Sequence, residues 1–76
     1  MSESEIDVRL WRRPVLARLL LRKPRFRLAL VIRTVTYSAE AETVEDAWRA
    51  ACRWAHFMGG ITVTTPCPFG AAGEVL

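Results

Sequence analysis

The stretch RFRLALVIRTVTYSAEAE, residues 25–42, decides the fold of this chain. Val31, Ile32, Thr34, Val35, Thr36 and Tyr37 are β-branched or aromatic, the side chains that fit a pleated surface, and no Gly or Pro interrupts them. The segment therefore reads as a strand. Ordinary strands run to about five or six residues, whereas up to sixteen qualify here. A bend or bulge is accordingly expected near Ser38.

Immediately downstream, Thr43-Val44-Glu45-Asp46 has the form of a capping box, with Thr43 placed to accept from a first-turn backbone N–H. A helix is predicted over 44–58, stopped at Gly59-Gly60, where glycine takes the left-handed cap conformation without steric cost. At about 100° per residue, Glu45, Asp46, Arg49, Arg53 and His56 share one polar arc. The opposite face centres on Val44, Ala47, Ala51, Ala55 and Met58, and its alanines would let the backbone lie close on a sheet. Trp48 and Cys52 flank that face on one side; Ala50, Trp54 and Phe57 flank it on the other. This apolar arc is wider than the stripe of roughly 100° that packing on one sheet requires, so a second contact surface is expected.

Two further strands are expected. ITVTT, 61–65, returns to the sheet, and IDVRLW, 6–11, alternates Ile6, Val8 and Leu10 against Asp7, Arg9 and Trp11. Two readings stand for residues 15–33. In the preferred one, PVLARLLLRK forms a short helix between Pro14 and Pro24; in the other, KPRF turns residues 15–22 back against 26–33. Seventy-six residues make one domain. The expected fold class is α+β, a small single domain with its main helix packed on a short three-stranded sheet. Residues 1–5 and the Pro- and Gly-broken 66–76 are expected to be loosely ordered.

The net charge of +3 conceals a segregation. Nine of the eleven Lys and Arg fall between Arg9 and Arg33, a span without Asp or Glu, while the acids lie before and after it. Such asymmetry makes a localised electrostatic footprint. Its residues are Arg9, Arg12, Arg13, Arg22, Lys23, Arg25 and Arg27, with Trp11, Trp54 and Phe57 as apolar or aromatic contacts for a partner.

Several function classes fall away. Catalysis needs a nucleophile, a base and a group to orient it, or metal ligands, and the one histidine, His56, has no partner at a recognisable spacing. No enzyme, no cofactor and no metal are expected. Cys52 and Cys67 make neither a disulfide framework nor a zinc set and read as small apolar residues. The start MSESEID and the arginine-broken Leu run argue against a secretory signal, and no apolar window approaches the roughly twenty residues of a membrane span. A cytoplasmic protein with no membrane partner is expected.

A strand, the capped Ala-rich helix AETVEDAWRAACRWA (41–55) and a returning strand, together residues 26–65, resemble the small proteins of phages and mobile elements, anti-CRISPR proteins among them. No family motif is matched, so the resemblance carries over no functional residue. What it implies is a non-enzymatic inhibitor in a bacterial host, acting by protein–protein interaction: it would bind and sterically block a large protein or ribonucleoprotein complex such as CRISPR-Cas. Many such proteins are acidic imitators of nucleic acid, whereas this chain carries a basic patch. That suits an acidic protein surface or bound nucleic acid. The alternative is a small basic nucleic-acid-binding protein, and a homodimer through the apolar arc of the helix is a further expectation.

Overall fold

The computed structural model describes residues 6–76. Strand β1 (Ile6–Arg12) is followed by a short helix α1 (Val15–Leu21), a hairpin of β2 (Phe26–Ile32) and β3 (Val35–Ala41), and the long helix α2 (Val44–Gly59). The three strands form one antiparallel sheet in the order β1-β2-β3. This is the expected α+β domain, a main helix on a three-stranded sheet.

The predicted long strand is in fact the hairpin. β2 and β3 pair residue for residue from Phe26↔Ala41 to Ile32↔Val35, and the chain reverses at Arg33-Thr34 instead of bending near Ser38. Both turn residues have positive φ, 52° for Arg33 and 72° for Thr34. Two such residues make the type I′ turn, whose twist matches that of the strands it joins. Such turns are normally written Asn-Gly or Asp-Gly. A β-branched threonine there is strained by about 1–2 kcal/mol, so the turn left no sequence signal, and seven paired rungs hold it in place.

ITVTT is not a strand. Residues 61–65 have no ladder partner among the described residues, and the third strand is β1, joined to β2 in register from Ile6↔Ile32 to Arg12↔Phe26. The preferred helix at 15–21 is present and the rival hairpin is not. Arg18 N donates to Pro14 O, and Arg13 N donates to Arg25 O at 2.8 Å, closing the excursion between β1 and β2.

One face of the sheet carries the core. Phe26, Leu28, Leu30 and Ile32 on β2 and Tyr37 on β3 point toward α2, which answers with Val44, Ala47, Trp48, Ala51 and Ala55. Ala47, Ala51 and Ala55 are fully covered, so their small side chains set a close helix–sheet distance. Thr43 Oγ1 accepts from Asp46 N at 3.1 Å, and Gly60, at φ 64°, ends the helix where predicted. Met58, predicted at the centre of the buried face, is 65% exposed, and Val35 is half exposed. The last turn of α2 diverges from the hairpin end of the sheet. Tyr37 fills the wedge, its hydroxyl so close to Gly59 that a Cβ there would collide with it.

Helix α2 lies over β2 and β3, and the tail covers the β1 side. Ile61, Val63, Cys67 and Phe69 pack half-buried against the core, next to Ile6, Val8 and Leu10. Residues 66–76, expected to be loosely ordered, carry hydrogen bonds of their own: Gly70 N to Glu74 O, Gly73 N to Gly70 O and Leu76 N to Pro68 O. Residues 1–5, expected to be loose as well, lie outside the described residues.

Replacing Arg33-Thr34 by Asn-Gly relieves both strained positions and should stabilise the domain by about 1 kcal/mol, raising Tm by about 4–8 °C for a chain of this size. Thermal denaturation followed by circular dichroism checks it; an unchanged or lower Tm contradicts the turn assignment.

Candidate interaction surfaces

The basic span does not stay together as one patch. Strand parity sends Arg9, Trp11 and Arg27 to the outer face of the sheet, away from α2, where the Arg27 guanidinium sits 5.3 Å from the centre of the Trp11 ring. Cross-strand register puts Trp11, Arg27 and Glu40 in one row and Arg9, Ala29 and Ser38 in the next. Among the described residues no helix packs over this face, and the small side chains Ala29 and Ser38 leave it flat beside the arginines.

Arg12, Arg13, Arg22, Lys23 and Arg25 gather instead around the base of α1. Arg22 caps that helix in the left-handed conformation, φ 53°. Arg25 lies over the ring of Phe26, 5.1 Å from its centre. Arg13 is tied inward, donating to Pro24 O at 2.9 Å and pairing with Glu40. Arg18, which the footprint did not include, pairs with Glu42 at 2.6 Å. These two ion pairs fix the base of α1 to the end of β3 and the start of α2. A shallow cleft of about 450 Å³ lies there, lined by Arg12, Arg13, Pro14, Val15, Arg18 and Arg25.

Helix α1 buries none of its residues. Val15, Leu16, Leu19, Leu20 and Leu21 are all between 61% and 73% exposed. Leu16, Leu19 and Leu20 share a face by the i, i+3, i+4 rule, and fully burying each such side chain would be worth about 1.5–3 kcal/mol. The composition of PVLARLLLRK reads as core, so sequence reasoning missed this surface. The available signal was length: the nine residues between Pro14 and Pro24 span at most about 14 Å as a helix.

Trp54 and Phe57 are 49% and 73% exposed, on the flank of α2 toward β3. The apolar run 15–21 would be the alternative cover for this flank within the monomer, through Leu16, Leu19 and Leu20, but α1 is pinned at the other end of α2, some ten residues or about 15 Å away along the axis. On the opposite flank Trp48 is buried and Cys52 faces the tail. Burial first, then the neighbouring Cys67, pushes the Cys52 thiol up from its ordinary pKa. Both cysteines are free, half-buried thiols. His56 is exposed near the end of α2, its ring edge-on to Phe57.

Among the described residues no group of three or more His, Cys, Asp or Glu is arranged to hold a metal ion, and no helix is long and apolar enough to cross a membrane. No protein-family model matches the chain, and neither curated proteins nor solved structures give a significant match.

The exposed leucines and the buried tryptophan make opposite predictions. Leu20→Ala should change stability by less than about 0.5 kcal/mol, whereas Trp48→Ala should cost about 3–5 kcal/mol, both read from urea denaturation. A large loss on truncating Leu20 would mean that α1 belongs to the core.

The Arg13 pair adds a pH test. The hydrogen bond from Arg13 holds the Glu40 carboxyl below its ordinary pKa of 4.5, so the pair stabilises the fold above that value and the contribution fades as pH falls through the lowered folded pKa. For a partly exposed pair it stays within about 1 kcal/mol. The stabilities of the wild type and Glu40→Gln should therefore differ at neutral pH and converge on acidification below 4.5. Parallel curves would show that the pair does not contribute.

Proposed function

We propose that this chain is a non-enzymatic interaction protein that docks α1 into an apolar groove on a larger nucleic-acid-handling complex and blocks it sterically. The setting is the cytoplasm of a bacterial host, as for the anti-CRISPR inhibitors of phages and mobile elements that the chain resembles. The observation that carries this reading is α1 itself: five uncovered Val and Leu side chains on one short helix, ringed by Arg12, Arg22, Lys23 and Arg25. A helix presenting i, i+3, i+4 anchors is the form that helix-in-groove recognition takes. The surrounding cations favour a groove with an acidic rim and speed encounter, while the leucines hold the complex. Two ion pairs at the base, Arg13 with Glu40 and Arg18 with Glu42, hold α1 in position, which limits the ordering cost of binding.

A second reading rests on the outer face of the sheet. Trp11 under Arg27, with Arg9 beside it, offers a stacking ring and phosphate contacts on a flat antiparallel sheet. Sheets and ribbons of this kind enter DNA grooves, and aromatic rings stack on single-stranded bases.

Capture from a bacterial lysate, with and without nuclease, separates the two when run beside Leu19→Asp/Leu20→Asp and Trp11→Ala/Arg27→Ala. Under the first reading the same protein assembly survives nuclease, and the leucine variant loses it by a factor of about 30 or more, the size of a hot-spot truncation. Neutralising Arg12, Arg22, Lys23 and Arg25 slows association and flattens its salt dependence with little change in dissociation. Capture that vanishes with nuclease and depends on Trp11 and Arg27 overturns the first reading in favour of the second.

A further inference from the structure

The geometry points to a two-fold dimer in which β3 of one copy pairs antiparallel with β3 of another, making one six-stranded sheet with the two α2 helices side by side. It uses the free edge of β3, whose Ser38 and Glu40 side chains border the outer face, and it does not use the α1 leucines.

β3 is an edge strand, and no strand lies beyond it among the described residues. The two-residue turn fixes Ile32 and Val35 as a hydrogen-bonded rung, so Tyr37, Ala39 and Ala41 also direct their amides inward to β2. Thr36, Ser38 and Glu40 therefore present N–H and C=O outward. Proteins normally guard such an edge with Lys, Pro, a bulge or a covering segment. VTYSAEA has one charge, no Pro and an unbroken register. The other edge, β1, carries Asp7, Arg9 and Arg12 and has the tail packed beside it.

An apolar flank stands beside the open edge. Trp54, Phe57 and Met58 on α2, with Val35 at the start of β3, are all 48% exposed or more. A two-fold axis perpendicular to the sheet at Ser38 pairs Ser38 with its copy and Thr36 with Glu40 of the other chain. Each outward residue thus meets an outward residue. The same axis keeps both α2 helices on one face and turns their Trp54 flanks toward each other. Charge does not oppose the approach, because the facing flank of α2 carries one acid and one base, Asp46 and Arg53, which balance beside Trp54 and Phe57. If covered completely, the strand edge and these side chains would bury roughly 600–700 Å² per copy, which for two copies meets the lower end of the ~1,200–2,000 Å² that stable interfaces bury. A second copy is thus the occupant that completes both features with one operation.

Sedimentation of the full chain from about 1 μM to about 1 mM spans the range in which such association is read. The mass should rise from 8.6 kDa to twice that value. Ser38→Lys and Ser38→Glu each place like charges opposite one another at the axis and should weaken the dimer at least about 30-fold, while an equimolar mixture of the two should restore it as a heterodimer. Phe57→Asp should weaken it similarly, and Leu19→Asp should leave it unchanged. Amides of Thr36, Ser38 and Glu40 should exchange more slowly at high concentration. Since Ser38 and Phe57 are exposed, these changes leave the core intact, and circular dichroism verifies that. A wild type that stays at 8.6 kDa throughout, a dimer indifferent to both Ser38 variants, or one abolished by Leu19→Asp overturns the proposal.

Discussion

The central strand must satisfy both of its edges and cover one of its faces, and the rest of the structure follows from how it does so. Phe26, Leu28, Leu30 and Ile32 are all buried on the α2 side, at most 4% exposed. Their backbone groups bond to β3, while those of Arg27, Ala29 and Val31 bond to β1. Among the described residues β2 is thus the one strand with neighbours on both sides, and a slip of one residue would send Phe26, Leu28, Leu30 and Ile32 to the outer face. The strained turn at Arg33-Thr34 persists because this register determines it from both ends.

Coverage of the sheet is divided. α2 occupies the β2–β3 side, brought close by its alanines, and Ile61, Val63, Cys67 and Phe69 fill in over β1. A domain of this size has little apolar material to spare, yet it leaves α1 and the Trp54–Phe57–Met58 flank uncovered. The two apolar surfaces stand at opposite ends of α2, and the basic residues between 9 and 27 are distributed with the first of them and with the outer face. Under the two proposals above, this separation would let one small chain meet a partner through the α1 leucines and a second copy through the edge of β3.

The fold was legible where pattern and chemistry agreed. Thr43 and Gly60 bound α2 because a capping side chain and a positive φ have strong residue preferences. The alternation of Ile6, Val8 and Leu10 gave β1. The hairpin was not legible, since Arg33-Thr34 carries none of the usual signals for two successive positive-φ residues. ITVTT has strand composition and no ladder, because β-propensity reports fit to a surface and the sheet edges were already taken or left open. The width of the helix arc implied that Trp54 and Phe57 lie beyond what the sheet covers, and both are exposed. Leu16, Leu19 and Leu20 were missed because composition cannot distinguish a buried leucine from an exposed one.

The sequence by itself determined the α+β class, the limits and buried face of α2, and the segregation of charge, since caps, helical periodicity and ionisation are properties of residues and their immediate neighbours. Tertiary structure decided how that charge is divided. Strand parity sent Arg9 and Arg27 to the outer face beside Trp11, while the pairs Arg13–Glu40 and Arg18–Glu42, 27 and 24 residues apart in the chain, fixed α1 where its leucines meet solvent. Such contacts depend on register and on which neighbour happens to lie across a gap, and no local preference of the residues encodes them.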